Sequence, residues 1–425
     1  MEIRIGECPI ESFRPGGYIN MTSCFDNNIS SCVQQGDCCG CSTCMFVCPR
    51  NAISLGEDKY GFAIPKIDED LCIGCQLCLK ICPSYQVKKN EVKKSYAALN
   101  RDESIKEACS SGGIVENIAR QVILNKGVVY GACMLDNFLV EHMRIDSVNK
   151  LPLMRKSKYV QSSITNCITL LINDLKCNRK VLFIGTPCQV AAVKNMSKHI
   201  NCDCLLTTID LVCHGVPSQS MFSSYIDYLQ KKEGLVKKYI FRAKRKHDTG
   251  MDCYIEYHTA RKKKIQFWRE DSYNYYFMTG KVYRESCYKC RYASLDRPGD
   301  ITVCDFWQWG QFGLQFSENE YVSGVLLNTC VGIDIFKRVE ETLLVEETSL
   351  TNIADNNGCL KKPTPIQKDR EEILSMWKAH GYESIDKKYR NENKRAIIKA
   401  KIMRSIPVKL KKLYIGVRNR GNDNV

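Results

Sequence analysis

No run of about 18 apolar residues occurs anywhere in the 425-residue sequence, which excludes a helical membrane span. The opening residues, Met1 to Cys8, lack the apolar core of a signal peptide. Low-complexity tracts are also missing, and 44% hydrophobic with 26% charged residues is the composition of a globular chain. We find no Ser-His-Asp set, no Walker-type phosphate loop and no paired-carboxylate signature. Against these absences stands one excess, 26 cysteines. Disulfide-dense chains are short and secreted, whereas this one is long enough to bury a core without covalent staples. The expectation is reduced thiols in a cytoplasm, where clustered cysteines hold metal.

The net charge of +15 has a narrow source. Residues 361–425 contain 18 Lys/Arg and 7 Asp/Glu and so carry +11 of it. Within them, the stretch from Arg395 to Arg420 interleaves cations with Ile397, Ile398, Ile402, Met403, Ile406, Val408, Leu410, Leu413 and Ile415. A basic amphipathic helix of this kind can lie on an anionic membrane, here as peripheral contact at the inner membrane face; Pro407 would break it in two. The alternative is a helix docked on the protein with a solvated cationic face. No nucleic-acid partner is expected, because neither an aromatic platform nor a known module accompanies the charge.

The cysteines are ordered. Cys38-x2-Cys41-x2-Cys44-x3-Cys48-Pro49 recurs, offset by 34, as Cys72-x2-Cys75-x2-Cys78-x3-Cys82-Pro83. Three thiolates on a tight loop can hold three irons of a cube, while the fourth, followed by Pro, reaches the other cluster. One 4Fe–4S cluster is thus expected on Cys38, Cys41, Cys44 and Cys82, and a second on Cys72, Cys75, Cys78 and Cys48. Paired zinc sites are the alternative, but zinc does not require two quartets each ending in Cys-Pro. Gly40 and Gly74 let backbone N–H groups approach the cluster sulfurs, and Cys39, at no ligand spacing, reads as a packed thiol. The repeat resembles the bacterial two-cluster ferredoxins.

Beyond a polar connection at residues 87–95, the texture is that of a larger α/β domain. Strands are predicted at Val128–Ala132, Val181–Gly185, Leu205–Val212, Ile301–Phe306 and Gly324–Leu327, with a helix from Ser218 to Lys232. Tyr254–Tyr257 and Ile265–Trp268 read as exposed-face strands. The expected fold is α+β or α/β: an irregular leader (1–33), a ferredoxin-like domain (34–86), a larger mixed α/β domain (96–345) and a basic helical C-terminal tail (346–425).

Four segments of the larger domain carry chemistry. Cys109-Ser110-Ser111-Gly112-Gly113 is a turn opening a helix, suited either to a phosphate or to an ordinary cap. Gly185-Thr186-Pro187-Cys188-Gln189 and Asp210-Leu211-Val212-Cys213-His214-Gly215 each follow a strand, so Cys188 and Cys213 could face each other across one sheet edge. Cys287-x2-Cys290 could complete a four-thiolate site with them, or the four could be separate buried cysteines. Asp300 to Trp307 closes the series.

Together these ordered motifs resemble the coenzyme F420 hydrogenase/dehydrogenase beta-subunit family over roughly residues 34–335. The resemblance implies a third 4Fe–4S cluster on Cys188, Cys213, Cys287 and Cys290. It also implies FAD near Ser111, Gly112, Gly113, Ser157, Lys158, Tyr159 and Gln161, with Lys158 placed to stabilise a reduced flavin. The sequence departs from the family at Cys304, where many relatives have Gly, and at Ala243, where they have an acidic residue. Arg242, Arg297 and Asp305 could line a substrate pocket or form ion pairs. His214 could relay a proton to flavin or substrate, or be a hydrogen-bonded structural His.

The function expected from this reading is an iron–sulfur flavoprotein oxidoreductase. Electrons would pass between a one-electron partner protein (a ferredoxin or a dehydrogenase subunit) and a small organic two-electron substrate or deazaflavin. Bacterial relatives are also encoded beside surface-polysaccharide genes, which the resemblance extends here as a metabolic link. The alternative is a noncatalytic electron-transfer or scaffold subunit of a larger redox complex.

Overall fold

A computed structural model describes residues 28–244, 253–317 and 320–406. Cys8, Cys24, the rest of the leader before Asn28 and the tail from Pro407 onward lie outside the described residues.

The first part of the chain is built from short elements. Helices Ser30–Gln34, Thr43–Phe46 and Leu77–Ile81 surround an antiparallel hairpin of β1 (Ile53–Glu57) and β2 (Ala63–Ile67). The 34-residue repeat is present in the backbone as well as in the cysteines. Gly40 and Ser42 have φ of 68° and 63°, and their counterparts Gly74 and Gln76 have 64° and 61°. Two left-handed residues thus turn each ligand loop into the start of its helix, a conformation glycine adopts at least cost.

Eleven strands follow: β3 (Lys94–Asn100), β4 (Val128–Met134), β5 (Val140–Ile145), β6 (Val181–Gly185), β7 (Leu206–Leu211), β8 (Val236–Ala243), β9 (Tyr254–Thr259), β10 (Lys263–Phe267), β11 (Ile301–Asp305), β12 (Ser323–Leu327) and β13 (Leu343–Glu347). Eight of them form one mixed sheet in the order β13-β3-β12-β11-β7-β6-β4-β5. Its centre, β11-β7-β6-β4, is parallel, and the remaining pairs are antiparallel. Alternation decides the faces. Val128, Tyr130, Val181 and Phe183 pack under helices Thr165–Lys176 and Pro187–His199. Val129, Leu182 and Ile184 pack with Ile114, Ile118 and Phe336 on the other side. Burial on both faces is why β6 reads as an unbroken apolar run.

The second sheet, β10-β9-β8, is antiparallel. β9 was expected to have an exposed face, yet Tyr254, Ile255 and Tyr257 are all buried. It lies centrally between β8 and β10, covered by an aromatic core that includes Phe222, Tyr225 and Tyr273.

Three expected boundaries shift. The break at 345/346 falls inside β13, which pairs with β3, and the start at residue 96 falls inside β3. Ile29 and Cys32, assigned to the leader, pack in one core with Cys44, Cys78 and Cys82. The described part of the tail is docked: Ile373, Leu374, Trp377, Tyr382, Ile385, Tyr389 and Ile397 enter the core of the smaller sheet. Ile398 and Ile402 remain exposed. No helix among the described residues is long and apolar enough to cross a membrane.

Candidate metal centre

The thiols of the two interleaved quartets lie close enough to act on one another. Cys38 senses the charges of Cys41 and Cys82, and Cys44 senses Cys41, Cys38 and Cys82. Burial pushes the Cys38 thiol up to about 11, against the lowering charge of Arg284. Cys78 senses Cys75 and Cys72. Together with Cys48 these three line one cavity of about 370 Å3, roofed by Pro49, Ile67 and Leu77.

Donors already point at the ligand sulfurs. The Gly40 N–H lies 3.4 Å from Cys38 Sγ, the Ala52 N–H 3.3 Å from Cys48 Sγ, and Thr43 Oγ1 3.2 Å from Cys41 Sγ. Such bonds favour thiolate over thiol. Among the described residues, no three His, Cys, Asp or Glu side chains converge tightly enough for a single metal ion. A tetrahedral zinc would bring its thiolates to about 3.8 Å of one another. The quartets therefore fit a larger inorganic core better than zinc.

The two sites face different surroundings. A Cβ on Gly74 would meet nothing within 4 Å, Cys75 is exposed, and Ile73 is 63% exposed. A Cβ on Gly40 would lie 2.5 Å from Arg284 and 2.8 Å from the Ala63 carbonyl. The Cys72–Cys78 loop is the outer one, and the Cys38–Cys44 loop is pressed against the large domain.

The third quartet stands at that contact. Cys188 follows β6 in the first turn of helix Pro187–His199, held by a reciprocal Thr186–Gln189 capping pair. Cys213 follows β7, and the parallel register of β6 and β7 brings both to one carboxyl edge, the edge where open α/β sheets carry their sites. Cys287 and Cys290 lie on and just after the turn Glu285–Lys289. Cys213 senses Cys287, Cys188 and Cys290. Burial raises Cys287 to about 12 and Cys290 to about 11, with Cys188 adding to both.

Two side chains join this edge to the ferredoxin loop. Arg284 donates to the Cys38 carbonyl at 3.3 Å, the Ala63 carbonyl at 3.0 Å and Gln161 Oε1 at 2.7 Å. Gln161 Nε2 donates to the Cys39 carbonyl at 3.0 Å, and Ser286 Oγ to the Cys38 carbonyl at 3.1 Å. Cys39 is a packed thiol with a further role in the contact. Its sulfur is hydrogen-bonded with Cys188 and with Cys41, which holds the Cys39 thiol well above its ordinary range. No spacing motif points to Arg284, Ser286 or Cys32, and sequence reasoning missed all three.

The residues matched to a flavin fall into two groups. Ser111, Gly112 and Gly113 form the expected turn, and Ser157 joins it through its N–H to Ser110 Oγ at 2.8 Å. The Gly112 N–H is already taken by Ser323 Oγ at 2.9 Å. Lys158 and Gln161 are engaged elsewhere, contrary to expectation. The Lys158 ammonium binds the carbonyls of Met154 and Arg155 at 2.9 and 2.8 Å, closing the turn Val148–Met154. Burial lowers it to about 8. Tyr159 is stacked on Phe277 at 4.2 Å.

Arg297 and Asp210 form a fully buried ion pair, so Arg297 lines no pocket. Arg242 pairs with Asp305 and lies over the Trp307 ring at 4.8 Å, leaving its Nε and one terminal nitrogen without a hydrogen bond. His214 is exposed, and a hydrogen bond with Cys359 raises its pKa.

Residues 178–352 match the family described as the C terminus of the coenzyme F420 hydrogenase/dehydrogenase beta subunit. Residues 37–85 match the 4Fe-4S dicluster domain. No curated protein matches the chain. Among solved structures, a chain of the xenon-derivatised F420-reducing NiFe hydrogenase complex from Methanosarcina barkeri is 15% identical. That match covers 71% of this chain and 93% of the other, with a TM-score of 0.43.

Proposed function

The chain belongs to the coenzyme F420 hydrogenase/dehydrogenase beta-subunit family and carries a fused 4Fe-4S dicluster domain, and from that premise we propose that it is an iron–sulfur flavoprotein oxidoreductase. It exchanges electrons with a one-electron partner protein at the dicluster domain and with an organic two-electron substrate in the larger domain. Cys38, Cys41, Cys44 and Cys82 hold the inner of two clusters, and Cys48, Cys72, Cys75 and Cys78 the outer. Cys188, Cys213, Cys287 and Cys290 hold a third, and FAD sits against the Ser111–Gly113 turn. When bound, the clusters supply single-electron steps and the flavin links these to two-electron chemistry.

One observation carries the reading: the Cys38–Gly40 loop is bound through its own carbonyls to Gln161, Arg284 and Ser286, one to three residues before Cys287 in the case of the last two. Arg284 and Gln161 thereby hold the inner ligand loop against the third quartet and exclude water from the contact. The exposed Cys75 and Ile73 leave the outer loop accessible to a partner. A link to surface-polysaccharide metabolism remains part of this proposal through the family resemblance alone.

The engagement of Lys158 and Gln161 away from the turn favours a second reading, an electron-transfer subunit without an organic substrate of its own. Anaerobic reconstitution with FAD, followed by a screen of electron donors and organic acceptors watched through flavin absorbance, separates the two. Retained flavin that is bleached and reoxidised supports the oxidoreductase. Reconstituted protein that retains no flavin yet still accepts single electrons supports the second reading.

A further inference from the structure

Of the cysteines outside the three quartets, two stand directly on ligands. Cys32, from helix Ser30–Gln34, is completely buried with its Sγ 3.9 Å from Cys82 Sγ. Cys39 is hydrogen-bonded with Cys41, and also with Cys188 of the third quartet. In each contact the extra cysteine keeps its proton and the ligand sulfur accepts: Cys82 is lowered to about 7 chiefly by Cys32, and Cys41 is lowered chiefly by Cys39. Both extra thiols serve the inner site. On the outer one, Cys72 faces the carboxamide of Asn28 at 3.8 Å, and Cys78 receives backbone N–H groups.

The consequence follows from charge. Reducing a cluster adds an electron that spreads onto its ligand sulfurs, and a donor aimed at such a sulfur stabilises the reduced form more than the oxidised one. Hydrogen bonds to sulfur are among the determinants of cluster potential. We propose that Cys32 and Cys39 are accessory thiol donors that raise the reduction potential of the inner cluster, with Cys39 also acting on the third site through Cys188. They draw electrons inward from the outer cluster, and Cys39 makes the potentials of the two inner sites interdependent. As positioning residues, they bind no iron themselves. The inference rests on the cluster reading and adds a direction to it.

The test uses the full chain, reconstituted anaerobically, with EPR-monitored redox titration. Cys32→Ala and Cys39→Ala are compared with the parent and with Cys32→Ser and Cys39→Ser, which restore a donor. We expect all four variants to keep the parent's iron. In the Ala variants one ferredoxin-type signal shifts to lower potential, by up to about tenfold in its reduction equilibrium (59 mV for a one-electron couple), and the Ser variants recover it. Cys39→Ala also moves the signal that Cys188→Ser abolishes. Potentials unmoved in both Ala variants, or iron lost from the Ser variants, would overturn the proposal. A parent without iron in its dicluster domain would instead sink the cluster reading, and this inference with it.

Discussion

Gln161 holds Cys39: its Nε2 donates to the Cys39 carbonyl at 3.0 Å while its Oε1 accepts from Arg284. One carboxamide thus uses both ends to fasten the inner ferredoxin loop to the segment that leads into Cys287. The residue lies 122 positions from Cys39 in sequence, so the contact is a product of tertiary structure alone.

Removing that carboxamide leaves the Cys39 carbonyl without its donor and the Arg284 guanidinium without an acceptor. Gln161→Ala should cost roughly 1–3 kcal/mol. The loss should be read as a lower urea midpoint, with hydrogen-exchange protection falling selectively over residues 38–41. Equal loss of protection across β6 and β7 would contradict a local clamp.

His142 gives the acid side of the stability curve. Its ring is buried, with Nδ1 2.8 Å from Ser162 Oγ and Nε2 2.9 Å from the Ile184 carbonyl, and burial pushes its pKa down to about 4. The unfolded chain takes up a proton near the ordinary 6.5, before the native state does. Stability is therefore full above pH 6.5 and is lost as pH falls toward 4, by an amount on the order of 3 kcal/mol. His142→Gln should flatten that slope in urea titrations between pH 4 and 7; an unchanged slope would assign it to other groups.

Arg297 and Asp210 are a case where breaking one partner leaves a buried charge alone. The guanidinium bonds Asp210 at 2.5 Å and the Tyr292 carbonyl at 2.8 Å, and Asp210 also receives the Gly299 N–H at 2.8 Å. Arg297→Met should destabilise the fold by about 3–5 kcal/mol. A thermal midpoint within error of the parent would show that the pair is dispensable.

The quartets were legible because a cube's ligands must lie on tight loops, and tight loops are a matter of spacing. β6 and β7 were legible because strands covered on both faces leave unbroken apolar runs. Other elements leave weaker marks. β13 is an edge strand ending in Glu346 and Glu347, and its pairing with β3 is set by the sheet and not by its own composition. The tail shows the limit of amphipathicity: Ile397 and Trp377 have an apolar face to bury, but periodicity does not say whether protein or membrane covers it. Cys39 was misjudged for a related reason. Ligand spacing asks which cysteines bind metal, and its contact with Cys188 forms only once the two domains are packed together. Lys158 carried a flavin role by resemblance, whereas the carbonyls that close its local turn now take its ammonium.

The central claim is that Cys188, Cys213, Cys287 and Cys290 hold a third cluster beside the dicluster domain. Iron content of the anaerobically reconstituted parent and of Cys287→Ser tests it most directly. The account predicts about 12 iron atoms per chain in the parent and about 8 in the variant, four to each cubane. About 8 in both would leave only the dicluster domain loaded and contradict it.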